Sequence, residues 1–293
     1  MKGLLHPLKH QETLPTYEAR RYYLVQQAEI LNEQYQVLAK LGYGVTSTVW
    51  LGRDLIKDLP ELDIYTRLNS IKTPHPARRF IRKLLNHFII AGPHGDEHVV
   101  LVHEVLGMSA DELMKWLPRR AMSLSDMKPC IRQLLAVLDF LHNGAGIMHT
   151  DLQLKNSLLP APDEASLKSF EEKQFTSPSP RKLLPDRTID TSPSLFPPSD
   201  GLTLLADFGE ARRLPSKDSG EALNEDIMPN AYRAPEVILK MDWDWRVDIW
   251  NVAVLAWDIV SPKTLINGHN ADGIFDDRVH VAELVALLRP PPS

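Results

Sequence analysis

Three short segments, found in a fixed order along the chain, constrain its fold more than any other feature. Residues 149–156 read His-Thr-Asp-Leu-Gln-Leu-Lys-Asn, residues 207–209 read Asp-Phe-Gly, and residues 232–236 read Tyr-Arg-Ala-Pro-Glu. An apolar run with helical spacing precedes the first segment, and a short run typical of a buried strand, 202–206, precedes the second. A short motif such as Asp-Phe-Gly is a weak signal alone, whereas three segments in this order and context indicate one fold.

These segments resemble the catalytic loop, the metal-binding segment and the end of the activation segment of protein kinases. The stretch 40–54 resembles the glycine-rich loop of the SR protein kinases, which phosphorylate serines in Ser/Arg-rich proteins. Residues 101–107 resemble their hinge, and residues 207–212 resemble their metal-binding segment. The resemblance covers about residues 35–290, and we identify the chain as a divergent, fungal-type member of this group.

The resemblance implies an α+β, bilobal protein-kinase-like fold, with a small, β-rich and incomplete N-lobe and a mainly helical C-lobe. We expect an N-terminal extension at 1–34, a shortened N-lobe at 35–105 and a truncated C-lobe at 106–293, because no helix pattern follows residue 288. Residues 160–201 are rich in Pro, Ser and charge. We expect a mobile insert there, since such a composition buries too little apolar surface to offset the entropy of ordering.

Composition excludes several classes of protein. The 293 residues are 43% hydrophobic, which is enough for a buried core, and the net charge of −5 argues against a nucleic-acid binder. Cys130 is the only cysteine, so no intrachain disulfide forms and we expect an intracellular protein of the cytoplasm or nucleus. No apolar run is long enough to span a bilayer, and we expect a monomer without membrane contact.

The first and second segments contain the groups that phosphoryl transfer requires. That reaction needs a carboxylate near the attacking hydroxyl and further oxygen ligands that hold metal on the phosphates. The resemblance assigns Asp151 as the catalytic base, and it assigns Asn156 and Asp207 as ligands of Mg²⁺. The resemblance also implies that Phe208 packs so as to set the position of the metal-binding segment.

The resemblance places the ATP contacts upstream of these groups. Gly42 and Gly44 belong to the glycine-rich loop, where a missing side chain lets main-chain amides approach a phosphate. Val49 follows on the next strand. The main chain of Glu104 and Leu106 would bind adenine, as the hinge does in kinases.

Two departures from the kinase pattern concern catalysis. Gln153 stands where the usual kinase has a lysine that offsets charge on the transferred phosphoryl group; Lys155 is a speculative substitute. In kinases roughly forty residues separate the first loop glycine from the helix glutamate, with the ATP lysine between them. Here Gly42 and Glu61 are about half as far apart, and the lysine strand is missing. Lys57 is the only lysine in the interval, and we interpret it as a surface residue.

A third departure concerns regulation. Thr150 stands where many kinases have an arginine that binds a phosphorylated activation segment, and SR protein kinases share this threonine. We therefore expect the segment 207–236 to be held by its own packing. Residues 230–233 would shape the peptide site.

The leading hypothesis is an ATP-dependent serine/threonine kinase of the SR-protein-kinase type, which phosphorylates serine in basic Ser/Arg-type proteins. One alternative is a pseudokinase that works as a non-catalytic binding module, and another is a shortened gene model of an active parent. The intact Asp151, Asn156 and Asp207 favour descent from an active enzyme, whereas the missing lysine strand favours impairment. We predict very low phosphotransfer.

Overall fold

The structure is a computed structural model that divides into two compact units. It describes residues 23, 25–26, 29–32, 35–43, 48–54, 63–91, 97–177, 181–183, 188–190, 196, 198–215 and 222–289. Unit 1 combines residues 1–62, 83–107 and 161–197, and unit 2 combines residues 63–82, 108–160 and 198–293. Together the helices and small antiparallel sheets give the α+β class that the sequence predicts.

The described regular elements are strands of two to nine residues and α-helices of four to sixteen residues, with a few short turns of other helix types. The strands are β1 (Ile30–Leu31), β2 (Tyr35–Tyr43), β3 (Thr48–Asp54), β4 (Leu84–Ala91), β5 (Glu97–His103), β6 (Ile147–Met148), β7 (Ser157–Leu158), β8 (Arg181–Leu183), β9 (Thr188–Asp190), β10 (Leu204–Leu205) and β11 (Arg212–Arg213). The α-helices are α1 (Asp63–Ser70), α2 (Ala110–Trp116), α3 (Leu124–Asp139), α4 (Glu164–Thr176), α5 (Pro235–Ile238), α6 (Arg246–Val260) and α7 (Asp277–Leu288).

The described residues of unit 1 form the small β8-β9 pair and two larger antiparallel sheets. One has the order β1-β2-β3 and the other pairs β4 with β5, and within the described residues no strand joins them. The ring of Tyr35 stacks on Phe88 with centroids 5.4 Å apart, and the Asn86 side-chain amide donates to the Tyr35 hydroxyl at 2.5 Å. The apolar runs 88–90 and 99–102 predict a hairpin, and the β4-β5 pair confirms it. Lys57 and Glu61 lie outside the described residues, as does the interval in which we predict the missing strand.

Part of the predicted insert forms regular structure in unit 1. An Asp163 carboxylate oxygen accepts from the Ser166 amide at 2.7 Å and caps α4, and Phe170 packs on Phe196 with centroids 4.7 Å apart. The composition of 160–201 does not predict this helix, because the Pro- and Ser-rich residues that follow it dominate the average. The mobility of 160–201 stays a prediction.

The unit boundaries differ from the predicted lobe boundaries at two elements. Helix α1 falls inside the predicted N-lobe but groups with unit 2, and the predicted C-lobe insert groups with unit 1. In unit 2 the Arg67 guanidinium of α1 donates to the Ala145 carbonyl, and Tyr65 meets Phe208 edge to face. These contacts bind α1 to the helical unit more closely than its position in the sequence indicates.

Helix α6 is the centre of unit 2. Its core-facing side chains are almost completely buried, as are those of α3 that it packs against. An apolar cluster at the start of α6 contains Met148, Trp243 and Val247 together with residues before and within α5. The sequence predicts this helix as the buried centre of the large lobe, and the structure confirms it. Among the described residues, none of the helices has the length and hydropathy to span a membrane.

Helix α7 contains a buried histidine that lies near an arginine and two carboxylates. The apolar pattern predicts a helix over 281–288, but α7 begins at Asp277. The helix starts there because the Asp276 carboxylate accepts from the Arg278 amide at 2.9 Å and caps it. His280 is fully buried, with its ring 5.7 Å from that of Phe275. Burial lowers the pKa of His280, and nearby Arg233 acts in the same direction, whereas the carboxylates on α7 oppose them.

We expect the free energy of unfolding to fall as the pH drops below about 6.5, the ordinary pKa of histidine. Since the folded-state pKa of His280 is lowered, the unfolded chain binds the proton more readily. The stability given by the neutral ring is therefore present above pH 6.5 and is lost as the pH falls toward the folded-state pKa. Urea unfolding at several pH values should show a weaker decline in His280→Gln. His269→Gln, which removes the exposed histidine near the same Phe275, should decline like the unaltered chain, and equal slopes in all three would contradict the assignment.

Candidate active site

One buried carboxylate anchors the start of the catalytic loop. Asp248, in the first turn of α6, has no exposed surface. Its Oδ2 accepts from the His149 amide at 2.9 Å and from the His142 ring Nε2 at 2.8 Å. Its Oδ1 accepts from the Thr150 amide at 2.9 Å. Thr150 has a φ of +59°, a conformation that most residues avoid, and these hydrogen bonds hold it there.

His149 links the catalytic loop to the strand that leads to Asp207. Its Nδ1 accepts from the Asp151 amide at 3.3 Å, and its Nε2 lies 3.2 Å from the Ala206 carbonyl. A neutral ring with the proton on Nε2 satisfies both bonds, so we assign that tautomer. The ring is fully buried and lies 5.0 Å from that of Phe208.

The carboxylate of Asp151 is held by two side-chain amides. Gln153 Nε2 donates to Oδ1 at 2.5 Å, and Asn156 Nδ2 donates to Oδ2 at 2.7 Å. Burial raises the pKa of Asp151, although the charge of Lys155 and both hydrogen bonds act in the opposite direction. A raised pKa makes the carboxylate a stronger base, which is the property a proton acceptor needs.

The two predicted metal ligands belong to adjoining segments of unit 2. The Asn156 carbonyl accepts from the Ala206 amide at 2.9 Å, which ties the catalytic loop to the residue before Asp207. Asp207 has a φ of +64° and an exposed side chain, whereas the next side chain, Phe208, is buried between His149 and Tyr65. The phenyl ring thus lies in the interior of unit 2 while the neighbouring carboxylate is exposed.

These ligands fit magnesium held on phosphates. Asn156 Nδ2 donates to both the main-chain carbonyl and the carboxylate of Asp151, so the opposite end of the amide presents its oxygen. An amide oxygen and a carboxylate are the hard donors that Mg²⁺ takes when phosphates and water complete its shell. In the part of the chain that the structure describes, no three His, Cys, Asp or Glu residues cluster as a metal site, and a phosphate-bound ion needs none.

The predicted nucleotide residues belong to unit 1, whereas Asp151 and the predicted metal ligands belong to unit 2. Gly42 in β2 pairs with Val49 in β3, whose side chain is exposed, and Gly44 lies outside the described residues. The Glu104 amide donates to the Lys83 carbonyl at 3.3 Å, and Leu106 is buried. Their roles toward ATP stay predictions.

His103, within the predicted hinge 101–107, is hydrogen-bonded to the main chain. Its Nδ1 lies 3.2 Å from the Lys83 carbonyl. The side chain is half-buried rather than fully enclosed.

The activation segment is held by contacts within unit 2. The Thr150 hydroxyl donates to the Glu210 carbonyl at 2.5 Å, and β11 pairs with β6. Further along, Asn251 of α6 donates to the Tyr232 carbonyl at 2.8 Å, and the Tyr232 hydroxyl donates to Asp258. None of these bonds requires a phosphate, which agrees with the expectation drawn from Thr150.

Sequence reasoning gave no role to Asp248 or Asp258, two acids on the apolar helix α6. Asp248 holds the loop, and Asp258 binds a tyrosine of the predicted peptide site. Both roles could have been predicted from the sequence, because each aspartate lies within a long apolar helix pattern. Burying an unpaired charge is strongly unfavourable, so such a carboxylate indicates nearby hydrogen-bond donors.

Comparison with known proteins agrees with this geometry. The protein kinase domain family matches residues 78–290. The chain belongs to the protein kinase family. A serine/threonine protein kinase of Aspergillus fumigatus is 33% identical over 300 residues, covering 96% of this kinase and 72% of the relative. The serine/threonine-protein kinase SRPK of Physarum polycephalum is 28% identical, covering 93% and 71%. SRSF protein kinase 3 of Sus scrofa is 31% identical over 63% of this chain and 36% of its own. The kinase is thus of the SR-protein-kinase type.

We expect Asp248→Asn to lower the free energy of unfolding by about 3 kcal/mol, because an amide leaves a buried main-chain N–H facing another donor. Urea unfolding of the whole kinase measures the change. Asp242→Asn alters an exposed aspartate that lies before α6 and should leave the unfolding free energy almost unchanged. Equal destabilisation by the two substitutions would contradict the anchoring role of Asp248.

Proposed function

We propose that this kinase transfers the terminal phosphate of ATP to serine in basic, Ser/Arg-type proteins, with a slow turnover. The observation that carries the proposal is the state of Asp151: its carboxylate is oriented by two amides, and burial raises its pKa. Asn156 takes part in that orientation and is also a predicted metal ligand, so base and metal positions are coupled through one side chain.

In the proposed reaction Asp151 accepts the proton of the serine hydroxyl while the serine oxygen bonds to phosphorus. The bond from phosphorus to the bridging oxygen breaks, and ADP leaves with the electron pair. Asn156 and Asp207 would hold Mg²⁺, which supplies positive charge to the phosphate oxygens. The two amides keep the Asp151 carboxylate in a single orientation.

The proposed slow turnover follows from the electrostatics of the loop. Gln153 brings a neutral amide to the position where a kinase lysine brings a full positive charge, and its Nε2 is engaged by Asp151. Lys155 is exposed, so water screens its charge. A weaker electrostatic contribution raises the barrier.

A pseudokinase is the second candidate, and the bond from Gln153 to Asp151 favours it. That bond places a donor on one oxygen of the proposed base. A non-catalytic module would keep the fold and bind a partner or nucleotide without turnover. The two candidates differ in whether phosphate transfer depends on Asp151.

The proposed basic substrate is supported by negative charge near the predicted peptide site. Burial raises the pKa of Tyr232 above its ordinary value, as do its hydrogen bond to Asp258 and the charges of Asp258, Asp111 and Asp151. Asp258 accepts the hydrogen bond of the Tyr232 hydroxyl, and the half-exposed Asp111 is paired with Lys115 at 2.6 Å. A surface of this kind favours an arginine side chain beside the serine that receives phosphate.

We expect low but measurable incorporation of phosphate from ATP and Mg²⁺ into a Ser/Arg-rich peptide. Asp151→Asn should reduce the rate by a factor of about 10² or more, because the amide cannot accept the proton. Gln153→Lys should raise it about tenfold by restoring the missing charge. Thermal melting of each variant shows whether it is folded. Incorporation no faster than that of Asp151→Asn would contradict the kinase proposal and support the pseudokinase.

We expect Asp111→Asn to weaken binding of a fluorescently labelled Ser/Arg peptide about threefold, the size of one exposed charge interaction. Fluorescence anisotropy measures the Kd without requiring turnover. Asp272→Asn, which removes an exposed carboxylate in the loop before α7, is the matched control and should leave the Kd unchanged. If both substitutions weaken binding equally, net charge rather than the peptide site attracts the substrate.

A further inference from the structure

The predicted peptide-site segment, residues 230–233, is held between two helices of unit 2. On one side, Asn251 of α6 donates to the Tyr232 carbonyl at 2.8 Å. On the other side, the Arg233 guanidinium donates to the Asp277 carboxylate of α7 at 3.2 Å. Helix α5, which follows the segment closely, also packs against α7. The position of the segment therefore depends on α7 as well as on α6.

His280 lies one helical turn beyond Asp277 on α7, next to this segment. The side chain is fully buried, and neither ring nitrogen has a hydrogen-bond partner among the described residues. Its ring meets Phe275 edge to face with centroids 5.7 Å apart. The Arg233 guanidinium and the Asn230 carbonyl are both near enough to act on its pKa. His280 thus lies close to both ends of the segment.

The charges around His280 give little compensation for a proton on its ring. Of the two nearby carboxylates, Asp277 is paired with Arg233, and Glu283 accepts from two main-chain amides of the loop before α7 at 2.8 and 3.2 Å. The packed elements carry two further titratable side chains. Glu236 lies on α5, and the exposed His269 meets the same Phe275 ring from the loop before α7.

Protonation would place two unfavourable features in the interior. A neutral imidazole has one N–H and an imidazolium has two, so the charged ring buries a second donor that has no acceptor in the described structure. It also buries a positive charge close to the guanidinium of Arg233. Both features are relieved when water reaches the ring, which requires the segment to leave α7.

We propose that His280 is a positioning residue for the predicted peptide site: its neutral ring keeps the segment 230–233 docked on α7, and its protonation releases the segment and weakens the binding of a basic peptide. The link to a peptide rests on the proposed function, whereas the docking of the segment does not.

The direction of the pH dependence follows from the lowered pKa of His280 in the docked structure, which burial causes first and Arg233 second. The released segment exposes a ring with a pKa of about 6.5, so it takes up the proton more readily than the docked one. Docking is therefore fully favoured above pH 6.5 and is lost progressively as the pH falls toward the lowered value. One pH unit below 6.5, the opening equilibrium rises by up to about tenfold.

Hydrogen exchange measures this opening directly. The Tyr232 and Arg233 amides donate within the segment, to the carbonyls of Pro229 and Asn230, and exchange when it opens. After correction for intrinsic rates, we expect their protection to fall about tenfold between about pH 6.5 and about pH 5.5. Amides of α3 report unfolding of the whole unit and should be protected much more strongly. Constant protection of the segment, or protection equal to that of α3, would overturn the proposal, and neither comparison needs a variant.

Two substitutions assign the effect to one ring. His280→Gln cannot take up a proton, so its segment should keep the same protection across this pH range. His269→Gln is the matched control, because it removes the other histidine on Phe275, and it should lose protection like the unaltered chain. Equal losses in the unaltered chain and in His280→Gln would overturn the role of His280.

Peptide binding tests the coupling to the site. Fluorescence anisotropy with a Ser/Arg peptide, free of histidine and acidic residues, gives the Kd at about pH 7.5 and about pH 5.5. We expect the Kd to rise by up to about tenfold in the unaltered chain and less in His280→Gln. The rise that remains in the variant belongs to carboxylates such as Asp258, whose pKa burial raises.

The two measurements separate this inference from the proposed function. An equal rise of the Kd in the unaltered chain and in His280→Gln would overturn the coupling of His280 to the peptide. A chain that binds no peptide even at about pH 7.5 would contradict the proposed substrate, and hydrogen exchange would then decide by itself whether His280 holds the segment.

Discussion

The catalytic loop depends on a carboxylate that is completely removed from water. Burying an isolated charge is strongly unfavourable, and Asp248 is tolerated because two main-chain amides and the His142 ring donate to it. The same bonds join the first turn of α6 to the start of the loop. They also stabilise the left-handed conformation of Thr150, which turns the chain so that Asp151 follows at the site.

His149 connects the catalytic loop to the metal-binding segment. His149 uses one ring nitrogen for each of these segments and also contacts Phe208. Because Phe208 is packed inward against Tyr65, Asp207 faces outward. The positions of Asp151, Asn156 and Asp207, the predicted base and metal ligands, therefore depend on ring packing and hydrogen bonds rather than on contacts between the acids themselves. Gln153 adds one more bond to Asp151 but not the positive charge of a lysine.

Sequence patterns predicted the main helices and the hairpin of unit 1, because an apolar face repeats visibly along each of these segments. The motif residues were identified in the same way, by type and order. The helix at 164–176 was missed, since its apolar residues are few and its stability depends on capping by Asp163 and on Phe170 packing against Phe196. The grouping of α1 with unit 2 depends on Arg67 and Tyr65, whose contacts are far away in sequence.

The sequence by itself determined the family, the α+β class and the identity of Asp151, Asn156 and Asp207, because these follow from local residue order. Tertiary structure alone decided that Asn156 and Gln153 both hold Asp151, that burial raises its pKa, and that Asp248 supports the loop. The physical reason is that burial, charge interaction and hydrogen-bond geometry arise between segments up to about a hundred residues apart, as between His149 and Asp248.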